Sequence, residues 1–391
     1  MPEAFILDAT RTPWGKFGGA LRDHSAADLG AHCIRTIVER NQIEPAAIEN
    51  VILGQVLQAG AGQLPSRQAL IHAGLPASTP SLLVNKVCAS GMRAVTLAAQ
   101  LIRFGENDLV LAGGMESMTN TPYYDMERRW GARMGNTQLI DGMVYDGLWC
   151  AFDNCHMASH GDNMAASREI SREEMDDWSL VSQRRWGAAY ERGYYDREVT
   201  PVPSKRDPNH VALARDENPR PKSTPEIMAR LHSVYGTRAI TPGNAPAVND
   251  GAAVLLVGSE EAAERIGVKP IARVVANAEI AAEPSEFPVA SAWAIQKALG
   301  KAKLGIGDMS VIEVNEAFAA VPLICGQELN WDSERVNRMG GAVAMGHPIG
   351  ASGARLAMTV AYQLQELGSG FGIAGICSGT GQGDAILLEA V

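Results

Sequence analysis

Cysteine is scarce: the chain holds six in 391 residues. That is too few for a disulfide scaffold and fits a reducing compartment. Long apolar runs are missing as well, and nothing approaches the roughly 18 residues of a membrane-spanning helix. Basic charge is not in excess. Lys and Arg number 34 against 44 Asp and Glu, the net charge is −10 and the pI about 5.4, which argues against a nucleic-acid binder. The start, Met1-Pro2-Glu3-Ala4, runs straight into apolar Phe5-Ile6-Leu7 without a basic stretch. No secretory signal is therefore expected, and a cytoplasmic location is. Zinc patterns are also absent. Cys150, Cys155 and His156 lie close together, but their spacing matches no common pattern and no second ligand pair follows, so no metal is expected.

What is present is an ordinary globular composition, 46% hydrophobic and 20% charged, long enough for roughly two or three domain-sized units. Within it, glycine-rich turns surround a few reactive side chains. Cys88 sits in Asn85-Lys86-Val87-Cys88-Ala89-Ser90-Gly91-Met92-Arg93, where a helical pattern begins. A thiol there faces unpaired N–H groups and the positive helix end, both of which favour thiolate. Cys377 lies in Gly375-Ile376-Cys377-Ser378-Gly379-Thr380-Gly381-Gln382-Gly383, and His347 in Gly346-His347-Pro348-Ile349-Gly350. Two cysteines and a histidine in tight turns point to covalent acyl chemistry. Cys33 and Cys325 fall on helical patterns and are expected in the core.

The chain also repeats itself. Ala89-Ser90-Gly91-Met92-Arg93 opens a helix leading to the strand Leu109–Gly113. Ala351-Ser352-Gly353-Ala354-Arg355 opens another, leading to Phe371–Gly375. Ungapped identities in this helix-then-strand frame indicate duplicated halves. Alternating strands and helices imply mixed or parallel sheets covered by helices, with ligands held where strands end and helices begin. Residues 118–248 differ from both halves: they carry 16 of the 34 basic residues. Ser171-Arg172-Glu173-Glu174 reads as a capping box opening a helix with Met175, Trp178 and Val181 on one side. Residues 200–225 carry six prolines and read as an extended loop.

On these residues the chain resembles the thiolases, the group of acetyl-CoA acetyltransferases and 3-ketoacyl-CoA thiolases. The likeness runs from Ala9–Phe17 through Asn85–Arg93, Ala112–Met118, Asn249–Ala253, Asn315–Ala319 and Gly340–Gly350 to Cys377–Gly383. It implies an α/β fold of five layers, αβαβα, built from two duplicated halves with mixed sheets and an inserted loop domain. The halves would comprise residues 1–117 with 249–270, and 271–391; the loop domain would span 118–248 and bind coenzyme A.

The resemblance further implies a two-step reaction that joins two acetyl-CoA into acetoacetyl-CoA, or cleaves the product with CoA. Cys88 would become acylated, His347 would take its proton, and Cys377 would remove a proton from the second acetyl-CoA. His347 and a water held by Asn315 would receive the enolate oxygen. The N–H groups of Cys88 and Gly379 would hold the thioester oxygen, a kind of donor whose loss costs about 2.7–4 kcal/mol of barrier. The glycines at 379, 381 and 383 would let backbone N–H groups point inward. Asn315 could instead cap a helix beginning at Glu316. His156-Met157 matches short-chain members, with the methionine narrowing the acyl pocket. Leu148, Tyr235, Ala245, Val248, Ala317 and Phe318 would line the pantetheine channel, and Arg220 would pack on the adenine. Coenzyme A is expected as substrate and product with no permanent cofactor, and a homotetramer as the assembly. The chain departs from the family pattern at Pro246, at Arg338-Met339 and at Ser378 and Thr380. The alternatives are a long-chain 3-ketoacyl-CoA thiolase, a condensing enzyme of the ketoacyl synthase kind, disfavoured by the second cysteine, and a non-catalytic acyl-CoA-binding homologue.

Overall fold

Strands that are apolar on both sides decide the architecture. The computed structural model describes residues 2–391. Its first half is built from β1 (Phe5–Arg11), α1 (Ala26–Arg40), β2 (Asn50–Gly54), α2 (Pro65–His72), β3 (Ser81–Val84), α3 (Ser90–Phe104) and β4 (Leu109–Ser117). An insert follows, with α4 (Met157–Ser167) and α5 (Arg172–Glu191). The chain then returns as β5 (Asn249–Gly258), which pairs antiparallel with β4 from Asp250↔Ser117 to Gly258↔Leu109. The remainder is β6 (Ala272–Ala281), α6 (Phe287–Ala302), β7 (Met309–Val314), α7 (Ala320–Leu329), α8 (Ser352–Leu367), β8 (Phe371–Ser378) and β9 (Gln382–Ala390).

Along each strand alternate residues enter different cores, as the two-residue period requires. In β5, Ala253, Leu255 and Val257 face the middle of the molecule, whereas Ala252, Val254 and Leu256 face α1. In β9, Ile386 and Leu388 face the middle, and Ala385 and Leu387 face α6. The middle is filled by α3 packed on α8. The layers are thus α1 and α2, a first half-sheet, α3 and α8, a second half-sheet, then α6 and α7: the five-layer αβαβα fold. Because sheets cover both its sides, α8 is buried from Ser352 through Leu364.

The two half-sheets are not separate. Hydrogen bonding runs in one path, β7-β8-β9-β6-β1-β5-β4-β2-β3. The joint is slender: β1 meets β6 only through Phe5↔Arg273 and Ile6↔Ala272. Pairing is mixed, with β7/β8, β2/β3 and β2/β4 parallel and the other main pairs antiparallel.

In the insert, Ser171 and Glu174 form the expected capping box, and Met175 and Trp178 are buried. Residues 200–225 are more ordered than an extended loop, since Val202–Pro203 pairs with Val211–Leu213. Arg11 of β1 fixes the insert by a bidentate pair to Asp216 at 2.7 and 3.0 Å.

Candidate active site

The turn before α3 is held by its own side chains. Asn85 Oδ1 accepts from the Val87 N–H at 3.0 Å, and Ser90 Oγ donates to the Val87 carbonyl at 2.6 Å. Val87 takes φ 46°, a strained value for a β-branched residue. Lys86 crosses to the other half and pairs with Asp384 at 2.8 Å and Glu279 at 2.5 Å. Cys88 emerges from this turn beside a cavity of about 1240 Å³.

The helix proper starts at Ser90, so Cys88 precedes the first turn. The N–H groups of Gly379 and Cys88 itself point at its sulfur and favour thiolate. Burial outweighs them and pushes the thiol up to about 12. Burial thus opposes the thiolate that the neighbouring N–H groups favour, and desolvation of the charge exceeds the help from backbone dipoles. Cys377, fully buried near the end of β8, is raised further by burial and by its closeness to Cys88.

His347 lies across the cavity wall from the same chemistry. Its Nδ1 is 2.6 Å from Ser352 Oγ, and that hydroxyl donates to the Pro348 carbonyl at 2.9 Å. The hydroxyl proton being committed, Nδ1 carries the ring proton and Nε2 is left as the acceptor. Asn315 Nδ2 approaches Nε2 at 3.4 Å. Burial, helped by the Arg355 charge, pushes the imidazole down to about 3, so the ring is neutral. Asn249 Oδ1 accepts from the His347 N–H at 3.0 Å and steadies the loop.

Asn315 does not cap a helix, because α7 begins only at Ala320. Its Oδ1 is buried with no protein partner. Beside it, Glu316 accepts from Trp178 Nε1, Ser182 Oγ, Asn337 Nδ2 and the Val343 N–H at 2.9–3.0 Å, tying the insert to the His347 loop. Glu116 accepts from the N–H groups of Val56, Leu57 and Gly350 and holds the other side of that loop.

Leu148, His156, Met157, Arg220, Tyr235, Ala245, Val248, Ala317 and Phe318 all line the cavity with Cys88, His347 and Gly379. Asn315 and Cys377 stand behind that wall rather than in it. His156 stacks on Tyr235 with ring centroids 3.8 Å apart, and its Nδ1 caps α4 by accepting from Ala158 N–H. Arg215, Arg220 and Lys222 all line the cavity and bring positive charge suited to phosphate groups.

The three glycines after Cys377 are not equivalent. A Cβ on Gly381 would strike the Ala282 carbonyl at 2.4 Å, and one on Gly383 the Ala290 carbonyl at 2.2 Å. A Cβ on Gly379 would meet only Val87 at 3.4 Å and Met157 at 3.7 Å. Two glycines thus serve backbone packing, and the third keeps open the space between Val87 and Met157. Thr380, between them, takes φ 72°.

Reasoning from sequence missed Ser352, Asn249, Glu116 and Glu316 as partners of the site. Each lies inside a segment already singled out, but only the folded contacts separate them from neighbours of the same type.

The N-terminal thiolase domain model matches residues 4–261 and the C-terminal thiolase domain model residues 268–390. An acetyl-CoA acetyltransferase of Chromobacterium violaceum is 44% identical over 393 residues, covering 99% of each chain. One of Syntrophomonas wolfei is 43% identical over 394 residues, covering 100% of this chain and 99% of its own. A protein of Staphylococcus epidermidis named a probable acetyl-CoA acyltransferase is 42% identical over 391 residues, covering 100% and 99%. With both domain models spanning nearly its whole length and the fold assembled as above, the chain belongs to the thiolase family and is an acyltransferase.

Proposed function

We propose that the chain is an acetyl-CoA C-acetyltransferase that joins two acetyl-CoA into acetoacetyl-CoA and CoA, and runs the reverse thiolysis. One observation carries the reading: Cys88, the Gly379 N–H and a neutral His347 face one cavity, with Met157 in its lining beside Gly379. In the first half-reaction Cys88 Sγ attacks the thioester carbon and its proton passes to His347 Nε2. The N–H groups of Cys88 and Gly379 receive the developing oxyanion. The CoA sulfur leaves with the proton of Cys377, which is left as the thiolate, while Nε2 keeps the proton from Cys88.

In the second half-reaction Cys377 takes a proton from the methyl carbon of another acetyl-CoA. The resulting carbanion attacks the acyl carbon, a carbon–carbon bond forms, the bond to Cys88 sulfur breaks, and that sulfur takes back the proton held on His347 Nε2. His347 serves the enolate oxygen as donor only in its protonated state, since its resting Nε2 is an acceptor. Asn315, with its unpartnered Oδ1, is the residue suited to hold a water there. Arg220 packs on the adenine of CoA, Arg215 and Lys222 meet its phosphates, and the aromatic and small residues of the wall follow its pantetheine arm. Coenzyme A enters and leaves as substrate and product, with no resident cofactor in this reading.

The same proposal takes residues 1–117 with 249–270, and 271–391, as the duplicated halves, and 118–248 as the CoA-binding domain. A homotetramer in the cytoplasm completes it. Among the described residues no helix is long and apolar enough to cross a membrane.

The second reading, a 3-ketoacyl-CoA thiolase for longer chains, is favoured by the staphylococcal relative's name and by departures such as Pro246, which lines the cavity. CoA-dependent cleavage of 3-ketoacyl-CoA substrates of increasing length separates the two. A sharp preference for acetoacetyl-CoA is expected from Met157. Equal or better turnover of long chains would move the protein to the second reading.

A further inference from the structure

The insert holds a cluster of metal-ligating side chains apart from the catalytic residues. Trp149–Cys150 and Cys155–His156 form a short antiparallel ladder in which Cys150 faces Cys155. Asp153 turns back within the connecting loop. Its N–H donates to Cys150 Sγ at 3.5 Å, and its Oδ2 lies 3.7 Å from that sulfur. Because α4 begins at Met157, His160 falls one turn in. Its Nε2 is 3.6 Å from Cys155 Sγ and 3.3 Å from Asp153 Oδ2. One atom each of Cys150, Asp153 and His160 lie within 4.8 Å of one another.

Three of these separations match edges of a tetrahedral coordination shell, while Cys155 Sγ, close to His160, lies outside the group formed by Cys150, Asp153 and His160. With Zn–S near 2.3 Å and Zn–N or Zn–O near 2.1 Å, tetrahedral angles give edges of about 3.6 Å for sulfur to nitrogen or oxygen and about 3.4 Å for nitrogen to oxygen. The observed edges are 3.6, 3.7 and 3.3 Å. We propose that Cys150, Asp153 and His160 bind a single zinc ion as a structural site, with Cys155 turning in from beside His160 as the fourth protein ligand. Both thiols release their protons to solvent as the metal–sulfur bonds form. The Asp153 N–H supports the Cys150 thiolate. The ion pins the hairpin whose flanks, Leu148 and Met157, line the substrate cavity. His160 rests edge-on against Phe287, another lining residue, at 6.2 Å. The inference stands independently of the substrate reading above.

The expectation of no metal rested on the lack of a common zinc spacing and of a second ligand pair after Cys150, Cys155 and the adjacent His156. That ring is engaged as the cap of α4, and the ligand is His160, brought round by the helical turn.

The test uses the full-length protein, stripped by a chelator and titrated with Zn²⁺ against a chromophoric competitor, with metal content measured by mass spectrometry. A single zinc per chain is expected to survive gel filtration. Cys155→Ser and His160→Gln are each expected to weaken binding by about 100-fold, while Cys88→Ala retains it. Cobalt in place of zinc should give thiolate-to-metal charge-transfer bands that Cys155→Ser diminishes. No stoichiometric retention by the native chain would overturn the proposal. So would retention lost only in Cys88→Ala, which would assign the metal to the catalytic thiols. A Cys150–Cys155 disulfide in metal-free protein that excludes zinc even after reduction would also overturn it.

Discussion

At Cys88 two effects oppose each other, and burial is the larger. A group at a helix start gains about 0.3–1 kcal/mol from the dipole, yet the thiol is pushed up to about 12. Below that value the thiolate fraction grows about tenfold per pH unit. Alkylation of Cys88 by iodoacetamide in the free enzyme is therefore expected to rise continuously from pH 7 to beyond pH 9. His347, already neutral with its pKa near 3, adds no step near pH 6.5. A plateau above pH 6–7 would mean a resting thiolate–imidazolium pair and would overturn this assignment. The hydroxyl of Ser352 sets which nitrogen of His347 is basic without lining the cavity. Ser352→Ala should lower kcat for thiolysis by up to about 10²-fold, with KM for CoA unchanged. A kcat within about twofold of the native value would remove Ser352 from its positioning role.

At the scale of elements, the repeated Ala-Ser-Gly opens both central helices, and its glycines do one job twice. A Cβ on Gly91 would meet the Ala354 nitrogen at 2.9 Å, and one on Gly353 the Met92 nitrogen at 2.6 Å. Each glycine lets its helix start press against the other. Overpacking costs about 1–3 kcal/mol, so Gly353→Ala should lower the unfolding midpoint clearly. Gly300, within α6 and with open space where its Cβ would stand, provides the contrast. Gly300→Ala should stabilise by about 0.5–1 kcal/mol. Equal effects of the two changes in urea titrations would refute the close-approach argument. The repeat made this central layer legible in the sequence, because identical spacing demands identical local structure. The serines of the same repeat were not legible. Ser90 braces the turn before Cys88 and Ser352 orients His347; that divergence comes from what lies opposite each helix end. The same reason hid the raised thiols, since the groups that bury Cys88 are remote in sequence. His160 stayed hidden because its partners are set by a hairpin register rather than by a spacing pattern.

Across the whole molecule, buried charges knit the insert to both halves. Arg11 reaches Asp216 and Glu198, and Glu316 gathers donors from α5 and the His347 loop. These contacts fasten the insert to the sheets it covers, but one stretch of it leaves apolar groups uncovered. Between Tyr123 and Leu139 large apolar side chains stand in solvent, with Trp130 at 87% and Met134 at 99% exposure. A cluster of that kind marks a protein interface more often than a free surface. It fits the proposed tetramer, with this segment joining one dimer to the next. The native 41.6 kDa chain should then behave in light-scattering chromatography as an assembly of about four copies. Trp130→Asp combined with Met134→Asp should halve that mass to dimers while the circular dichroism spectrum stays native. The catalytic residues of one copy lie outside this segment, so acylation of Cys88 should persist in the dimer. A double variant that remains tetrameric would place the interface elsewhere. A native chain that runs as a monomer would remove the assembly altogether and leave the apolar segment free to serve another partner.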